Sequence, residues 1–303
     1  MTGMRVPAAA TKTVLLTGCS SGIGAACAGI LRSAGWRVFP TARKAGDLER
    51  LRGEGYEAIR LDLADEGSVA DAAAEFLERT EGRPGGVICN AGYCQAGAVE
   101  DLTRAALRAQ FETNVLGPHQ LIRALLPAFK RLGAGRIVQV SSVYGRIAAP
   151  WVGAYCASKY AVEALGDALR IELRGSGVWS SLVEPGGIVS NFRKNAVEAL
   201  AAGVDVAGSE HGEAYGREIE RRRRQKKKPD FFTRAPEEVA PHFLHALESG
   251  RPRRRYRVTP SAWLVEGVVR WVPQAWTDGL LARKAAPGGR KGNAGDCTGR
   301  EKV

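Results

Sequence analysis

At 303 residues, 45% hydrophobic and 25% charged, the chain has room for one substantial α/β domain, and its composition excludes disordered and fibrous classes. Residues 1–12 lack the apolar core of a secretory signal, and no run approaches the ~18 apolar residues of a membrane span. The net charge of +12 is uneven: residues 1–190 hold 21 basic and 18 acidic side chains, whereas residues 191–303 hold 23 and 14.

Residues 1–11 read as a flexible arm. Thr13-Val14-Leu15-Leu16 then has the apolar, β-branched character of a short buried strand. Thr17-Gly18-Cys19-Ser20-Ser21-Gly22-Ile23-Gly24 follows at once, and Ala25 to Leu31 suits a helix packed closely on a sheet. Strand, glycine turn and helix start form a phosphate cradle. Glycines admit a pyrophosphate to the backbone, and the helix N-terminus supplies free N–H groups and a positive dipole end.

Further strands are expected at 37–41, 58–62, 86–90, 136–141 and 179–184, with another ending near Thr259. Helical stretches lie between them, and Ser158 to Leu173 is expected as one of the helices. This alternation predicts an α/β fold with a parallel sheet. Gly18, Asp62, Asn90 and Ser142 all fall just past strand ends, where ligands bind in such sheets.

Tyr155-Cys156-Ala157-Ser158-Lys159 places a phenol and an ammonium four residues apart, on one helix face. A free tyrosine titrates near pH ~10. Moving it to about 7 takes roughly 4 kcal/mol of preferential phenolate stabilisation, which a neighbouring, partly desolvated cation can help supply.

Taken together, these residues resemble the short-chain dehydrogenase/reductase family. Thr17-Gly18-x-x-x-Gly22-x-Gly24 is similar to its cofactor motif. Asn90-Ala91-Gly92 is similar to its sheet-stabilising segment, and Asn114, Ser142, Tyr155 and Lys159 to its catalytic tetrad. Pro185-Gly186 is similar to the pair after its sixth strand. The likeness covers roughly residues 12–190 and is nearest to bacterial NADP-dependent aldehyde reductases and the 17β-hydroxysteroid/retinol dehydrogenase branch.

The resemblance implies a single Rossmann-type doubly wound domain over residues 12–285, with a substrate lid at 191–235. Tyr155 would act as acid or base, Ser142 would polarise the carbonyl, Lys159 would tune the tyrosine and hold ribose hydroxyls, and Asn114 would hold a relay water. Ser20, Ser21 and Ile23 would join the glycines at the phosphates. Ala91 and Gly92 would border the cofactor, and Pro185, Gly186, Ile188 and Ser190 the nicotinamide.

Cofactor choice is expected from the end of the second strand. Thr41-Ala42-Arg43-Lys44 carries no carboxylate to read a ribose 2′-OH, and Arg43, with Ser21, suits a 2′-phosphate; NADP(H) is favoured over NAD(H). Asp62 fits either the adenine side of the site or a cap of the turn after it. The substrate is expected to be an apolar aldehyde or ketone, from Tyr93, Ile147, Pro150, Trp151 and Val152. An oxidative hydroxysteroid or retinol dehydrogenase is the nearest alternative. A non-catalytic nucleotide-sensing or surface-binding protein is the alternative of a different class.

Six cysteines without CxxC spacing suit reduced thiols and a cytoplasmic protein. Cys19 and Cys156 are expected near the cofactor and open to alkylation. His242 and His245, at i,i+3, lack a third ligand, so no metal is expected. By analogy the chain forms a homo-oligomer. Arg221 to Lys228 and Arg251 to Arg257 suit a solvated lid flank or an anionic membrane surface. Leu264, Val265, Val268, Trp271 and Val272 supply an apolar helical stripe beside the second run. No reader motif for nucleic acid accompanies either run. Residues 286–303 are expected to be a disordered tail.

Overall fold

The computed structural model describes residues 5–224 and 228–285. Six strands follow the expected positions: β1 (Thr13–Leu16), β2 (Arg37–Ala42), β3 (Ile59–Arg60), β4 (Gly86–Cys89), β5 (Gly135–Val140) and β6 (Val178–Glu184). A two-stranded ribbon, β7 (Gly187–Ile188) with β8 (Thr233–Arg234), stands apart from the main sheet. β9 (Arg255–Arg257) completes the main sheet of seven strands, in the order β3-β2-β1-β4-β5-β6-β9, with every pair parallel. The chain reverses its direction of travel across the sheet between β1 and β4. Such a switch point opens a crevice at the C-terminal strand ends.

Strand side chains alternate between two cores, as a period of two requires. Val14, Leu16, Val38, Ile88 and Val138 face one core, built with α1 (Gly22–Ser33), α2 (Ala45–Gly53) and α9 (Ala240–Glu248). Leu15, Phe39, Val87 and Ile137 face the other, built with α3 (Glu66–Arg79) and α5 (Gly117–Leu132). Asp65 caps α3 by accepting from Ser68 N at 3.0 Å, and Thr103 caps α4 (Arg104–Phe111) in the same way.

Between α4 and α5 the chain does not break. Glu112–Leu116 runs on as a π-helical segment, a widened turn often found at functional sites. Gly117 is required just after it, because a Cβ there would lie 2.1 Å from the carbonyl oxygen of Leu63.

α6 (Gly153–Glu172) carries Tyr155 and Lys159 and begins five residues before its expected start. The segment 191–235 holds α7 (Phe192–Gly203) and α8 (Gly212–Arg223), with β8 at its end. α10 (Pro260–Trp271) and α11 (Gln274–Ala285) close the described chain.

Residues 5–11, expected to be a loose arm, are tethered. Val6 is buried and donates its N–H to Gly250 O at 2.9 Å, and the buried Arg136 side chain donates to Pro7 O. Residues 1–4 and the tail at 286–303 lie outside the described residues.

Candidate active site

The turn after β1 is built by close backbone approach. Gly18 and Gly22 have φ of 76° and 61°, the left-handed region that favours glycine. A Cβ on Gly24 would lie 2.2 Å from Gly18 O. Ser21 caps α1 without a side-chain hydrogen bond, so the first-turn N–H groups remain for an anion. Ser20 and Ser21 are exposed on this rim, with Ile23 half-buried behind them.

Thr17 holds the turn to β4. Its Oγ1 accepts from Asn90 N and Ala91 N, both at 2.9 Å. The Asn90 amide in turn donates to Thr17 O at 2.9 Å. Gly92 keeps the next step open, since a Cβ there would lie 3.0 Å from Asn114 Oδ1.

Asn114, in the π-helical segment, is buried, with both amide hydrogens and one acceptor site of Oδ1 in use. Its Oδ1 accepts from Tyr93 N at 3.1 Å, and its amide donates to Tyr93 O and to Ser158 Oγ. Ser142, just past β5, accepts from Tyr144 N at 3.2 Å and is hydrogen-bonded to Tyr155. Lys159 Nζ donates to Val140 O at 2.8 Å and lies 5.7 Å from the centre of the Tyr155 ring. The tetrad expected from the sequence is therefore brought together.

The electrostatics depart from expectation. Burial holds the Tyr155 phenol well above its usual range, and the Ser142 hydrogen bond only partly offsets this. Burial also pushes Lys159 down to about 8 against the pull of Glu163. The expected lowering of the phenol is thus overridden: taking the phenolate out of water costs more than the Ser142 contact returns. Aromatic rings enforce that burial. Tyr144 and Phe192 pack edge-on against Tyr155, with centroids at 6.1 and 5.4 Å.

The loop after β6 folds back onto the cradle. Pro185 O accepts from Val143 N at 3.0 Å, beside Ser142. Gly186 passes so close to Thr259 and Ser261 that a Cβ would lie 2.3 Å and 2.1 Å from their hydroxyls. Ile188 pairs with Arg234 in the small ribbon. Ser190 accepts from Phe192 N and lies against Gly22.

At the far end, Arg43 is exposed and sits 3.8 Å from Asp62, whose other oxygen accepts from Ala64 N at 3.1 Å. Asp62 thus does cap the following turn while also facing Arg43. Arg50 was not anticipated: it reaches the rim of the cradle from α2, donating to Cys19 O and Ser20 O at 3.3 Å. No spacing rule would have flagged it.

Cys19 and Cys156 do lie here, but both are buried. Burial pushes the Cys19 thiol up to about 12 and raises Cys156 as well. The expected sensitivity to alkylation does not follow, because the thiolate is the reactive form.

The lid meets the body beside the site. Trp151, with φ 65°, packs edge-on against His211 and Tyr215. Tyr215 and Ser209 both bond Asp101, and His211 bonds Glu100. Buried Arg222 donates to Glu218 at 2.6 Å. A cavity of about 300 Å³ lined by Arg5, Arg170, Arg174 and Trp179 lies at the opposite ends of the strands and takes no part in this chemistry.

The family model described as short chain dehydrogenase matches residues 12–201. The chain is 40% identical over 270 residues to the "Uncharacterized oxidoreductase YbbO" of Escherichia coli, covering 89% of this chain and 94% of that protein. It is 34% identical to human "17-beta-hydroxysteroid dehydrogenase type 1", covering 82% and 78% of the two chains. Two solved structures share the fold. One is a short chain dehydrogenase of Burkholderia cenocepacia in complex with NADP (24% identity, 92% and 99% covered, TM-score 0.69). The other is a short chain dehydrogenase/reductase of Burkholderia phymatum in complex with NAD (26%, 91% and 96%, 0.70).

The buried ammonium makes a prediction. Lys159 titrates near 8 in the folded chain, below its usual 10.5. Burying its charged form therefore costs stability in full below pH 8, and the cost fades as pH rises towards 10.5. Lys159→Met removes that term. In thermal or urea unfolding at several pH values, the stability of the variant relative to wild type should be greatest below pH 8. It should then fall by about 3 kcal/mol through this window. A difference independent of pH would show that the ammonium is not destabilised by burial.

Proposed function

Because the chain belongs to the short-chain dehydrogenase family, we propose that this oxidoreductase is an NADP(H)-dependent reductase of apolar aldehydes or ketones. The observation that carries the reading is the convergence of Ser142, Tyr155, Lys159 and Asn114 beside a glycine turn packed so tightly on α1 that a Cβ on Gly24 would clash with Gly18 O.

When bound, the nicotinamide supplies the hydride, and the chain's own residues handle orientation and the proton. The turn of Gly18, Gly22 and Gly24 would hold the pyrophosphate at the N-terminus of α1. Ser142 bonds the carbonyl oxygen and polarises it. Tyr155, held protonated by burial, is the acid that delivers its proton to that oxygen. Lys159 holds the ribose hydroxyls and compensates charge on the phenol as the proton leaves.

A cavity of about 10 Å³ lies behind Lys159, lined by Asn114, Gln139, Val140 and Cys89 among others. That is roughly the size of one water, and its polar walls suit a relay that returns a proton to Lys159 and Tyr155. The reading of Asn114 as the holder of that water rests on its place in this wall.

The reading of the substrate class rests on the walls: Tyr144, Val152 and Phe192 pack around Tyr155, which suits an apolar carbonyl compound better than a charged sugar. Phe192 opens α7, so the segment 191–235 borders the substrate side of Tyr155. The preference for NADP(H) rests on Arg43. Its ion pair with Asp62 is long and exposed, so it is exchanged for a 2′-phosphate at little cost.

A homo-oligomer is supported by exposed Leu116 at the start of α5 and by exposed Tyr160, Leu165 and Ile171 on α6. Five unpaired cysteines, Cys19, Cys27, Cys89, Cys94 and Cys156, suit a reducing cytoplasmic compartment.

Two variants test the reading. Purified protein should oxidise NADPH with medium-chain, aromatic or terpenoid aldehydes or with steroid ketones. Tyr155→Phe should lower turnover by about 10²-fold or more while NADPH affinity, read by fluorescence titration, changes little. Wild-type turnover in that variant sinks the mechanism and favours the non-catalytic alternative. Arg43→Ala should raise the KM for NADPH about tenfold or more with KM for NADH nearly unchanged. An equal effect on both cofactors would remove Arg43 as the phosphate reader.

A further inference from the structure

We propose that α10 and α11 form an amphipathic platform that lies on an anionic lipid bilayer. Three of the chain's six tryptophans, Trp263, Trp271 and Trp276, are 58%, 79% and 76% exposed. Leu264 and Leu280 are each 60% exposed beside them. Single exposed apolar residues are unremarkable, but a run of large ones along consecutive helices marks a contact surface.

One side of α10 is already anchored. Thr259 caps it, Ala262 is buried, and Glu266 pairs with Arg146 at 3.3 Å and Arg257 at 3.1 Å. The stripe expected at Leu264, Val265, Val268, Trp271 and Val272 therefore divides. Val265 and Val268 are half-buried, and the tryptophans and Leu264 turn outwards.

The occupant follows from charge and shape. Arg257 and Arg270 lie over the rings of Trp263 and Trp271, at 5.0 and 5.6 Å, so each of these indoles carries a cation beside it. Tryptophan with adjacent arginine is the composition of helices that rest at the boundary between lipid headgroups and acyl chains. Residues 258–303, which include both helices, carry a net +3, and anionic headgroups attract such a segment. A second copy of the chain would bring the same cations against themselves in a two-fold contact. Residues 286–303 contain no Leu, Ile, Phe, Trp, Tyr or Met, so the tail has no large apolar group with which to cover the face. No helix among the described residues is long and apolar enough to cross a membrane, and Pro273 separates two helices of 12 residues each. The geometry is that of a surface-lying element.

The platform adjoins the active site through Ser261, which packs on Gly186. A docked molecule would thus open its nicotinamide side near the bilayer. That consequence, unlike docking itself, rests on the apolar-substrate reading.

Co-sedimentation of the full chain with vesicles of equimolar phosphatidylglycerol and phosphatidylethanolamine tests the proposal, with phosphatidylcholine vesicles as the comparison. Wild type should pellet about tenfold or more with the anionic vesicles, and high salt should weaken this. The triple variant Trp263→Ser, Trp271→Ser, Trp276→Ser should lose most of that binding while keeping its melting temperature, because its altered side chains are exposed. Three results overturn the proposal: wild type left in the supernatant, equal binding to neutral vesicles, or equal pelleting of a folded triple variant. Lipid-free self-association that the triple variant loses would assign the face to a second copy instead. Turnover of a water-dispersed aldehyde by the triple variant separates failure of docking from failure of the catalytic reading.

Discussion

The site depends on a lock between the ends of β1 and β4. Thr17 and Asn90 exchange hydrogen bonds across the switch point, backbone to side chain in both directions. This fixes the height of Gly18 relative to the next two strands, and α1 then packs so closely that Gly24 touches Gly18 O. The same lock sets the course of Ala91 and Gly92. Their path in turn leaves room for Asn114 and Lys159 to approach each other, 3.0 and 3.7 Å from where a Gly92 Cβ would stand. The glycine turn and the Asn114–Lys159 cluster are therefore positioned by one and the same lock. A buried polar network of this kind specifies its geometry because each unpaired group would be costly.

A second layer of charge lies behind that unit. Glu163, one helical turn beyond Lys159, pulls the ammonium towards its charged state while burial pushes the other way. Arg255 spans Glu163, Asp167 and Glu184 at 2.9, 2.6 and 2.9 Å. Burial and the nearness of Glu163 keep Glu184 above the usual carboxylate range despite Arg255 and Arg257. Glu184 immediately precedes Pro185 and Gly186, so this network ties the last strand of the sheet to the loop after β6. Arg257 and Glu266 extend it to α10 and Arg146. The C-terminal segment is thereby coupled to the loop after Ser142 through ion pairs rather than through apolar packing.

Much of the fold was legible because its signals are local. β1 matches its expected bounds, and the other strands in the main sheet differ only at their ends. The four-residue spacing of Tyr155 and Lys159 survives because both sit on one helix, whose period is set by covalent geometry. Where expectation and structure part, the missing information was long-range. The arm at residues 5–11 is held by Gly250 and Arg136. Arg50 meets the cradle only because α2 folds back over it. The lid's contacts through Asp101 and Tyr215 join residues more than a hundred positions apart. None of these pairs leaves a periodic or spacing signature in the chain.

The sequence by itself determined the parallel α/β architecture, the glycine turn and the four-residue spacing of Tyr155 and Lys159, because strand period, helix period and the backbone freedom of glycine act over a few residues. Only the tertiary structure decided how those groups are charged and what surrounds them. Tyr155 is pushed up rather than down, Lys159 is pushed down by burial, Cys19 and Cys156 are shielded, and the tryptophans of α10 and α11 are left uncovered. The reason is physical: ionisation and exposure depend on how much water remains around a group and on which charges arrive from distant elements, and both are settled only when the layers pack.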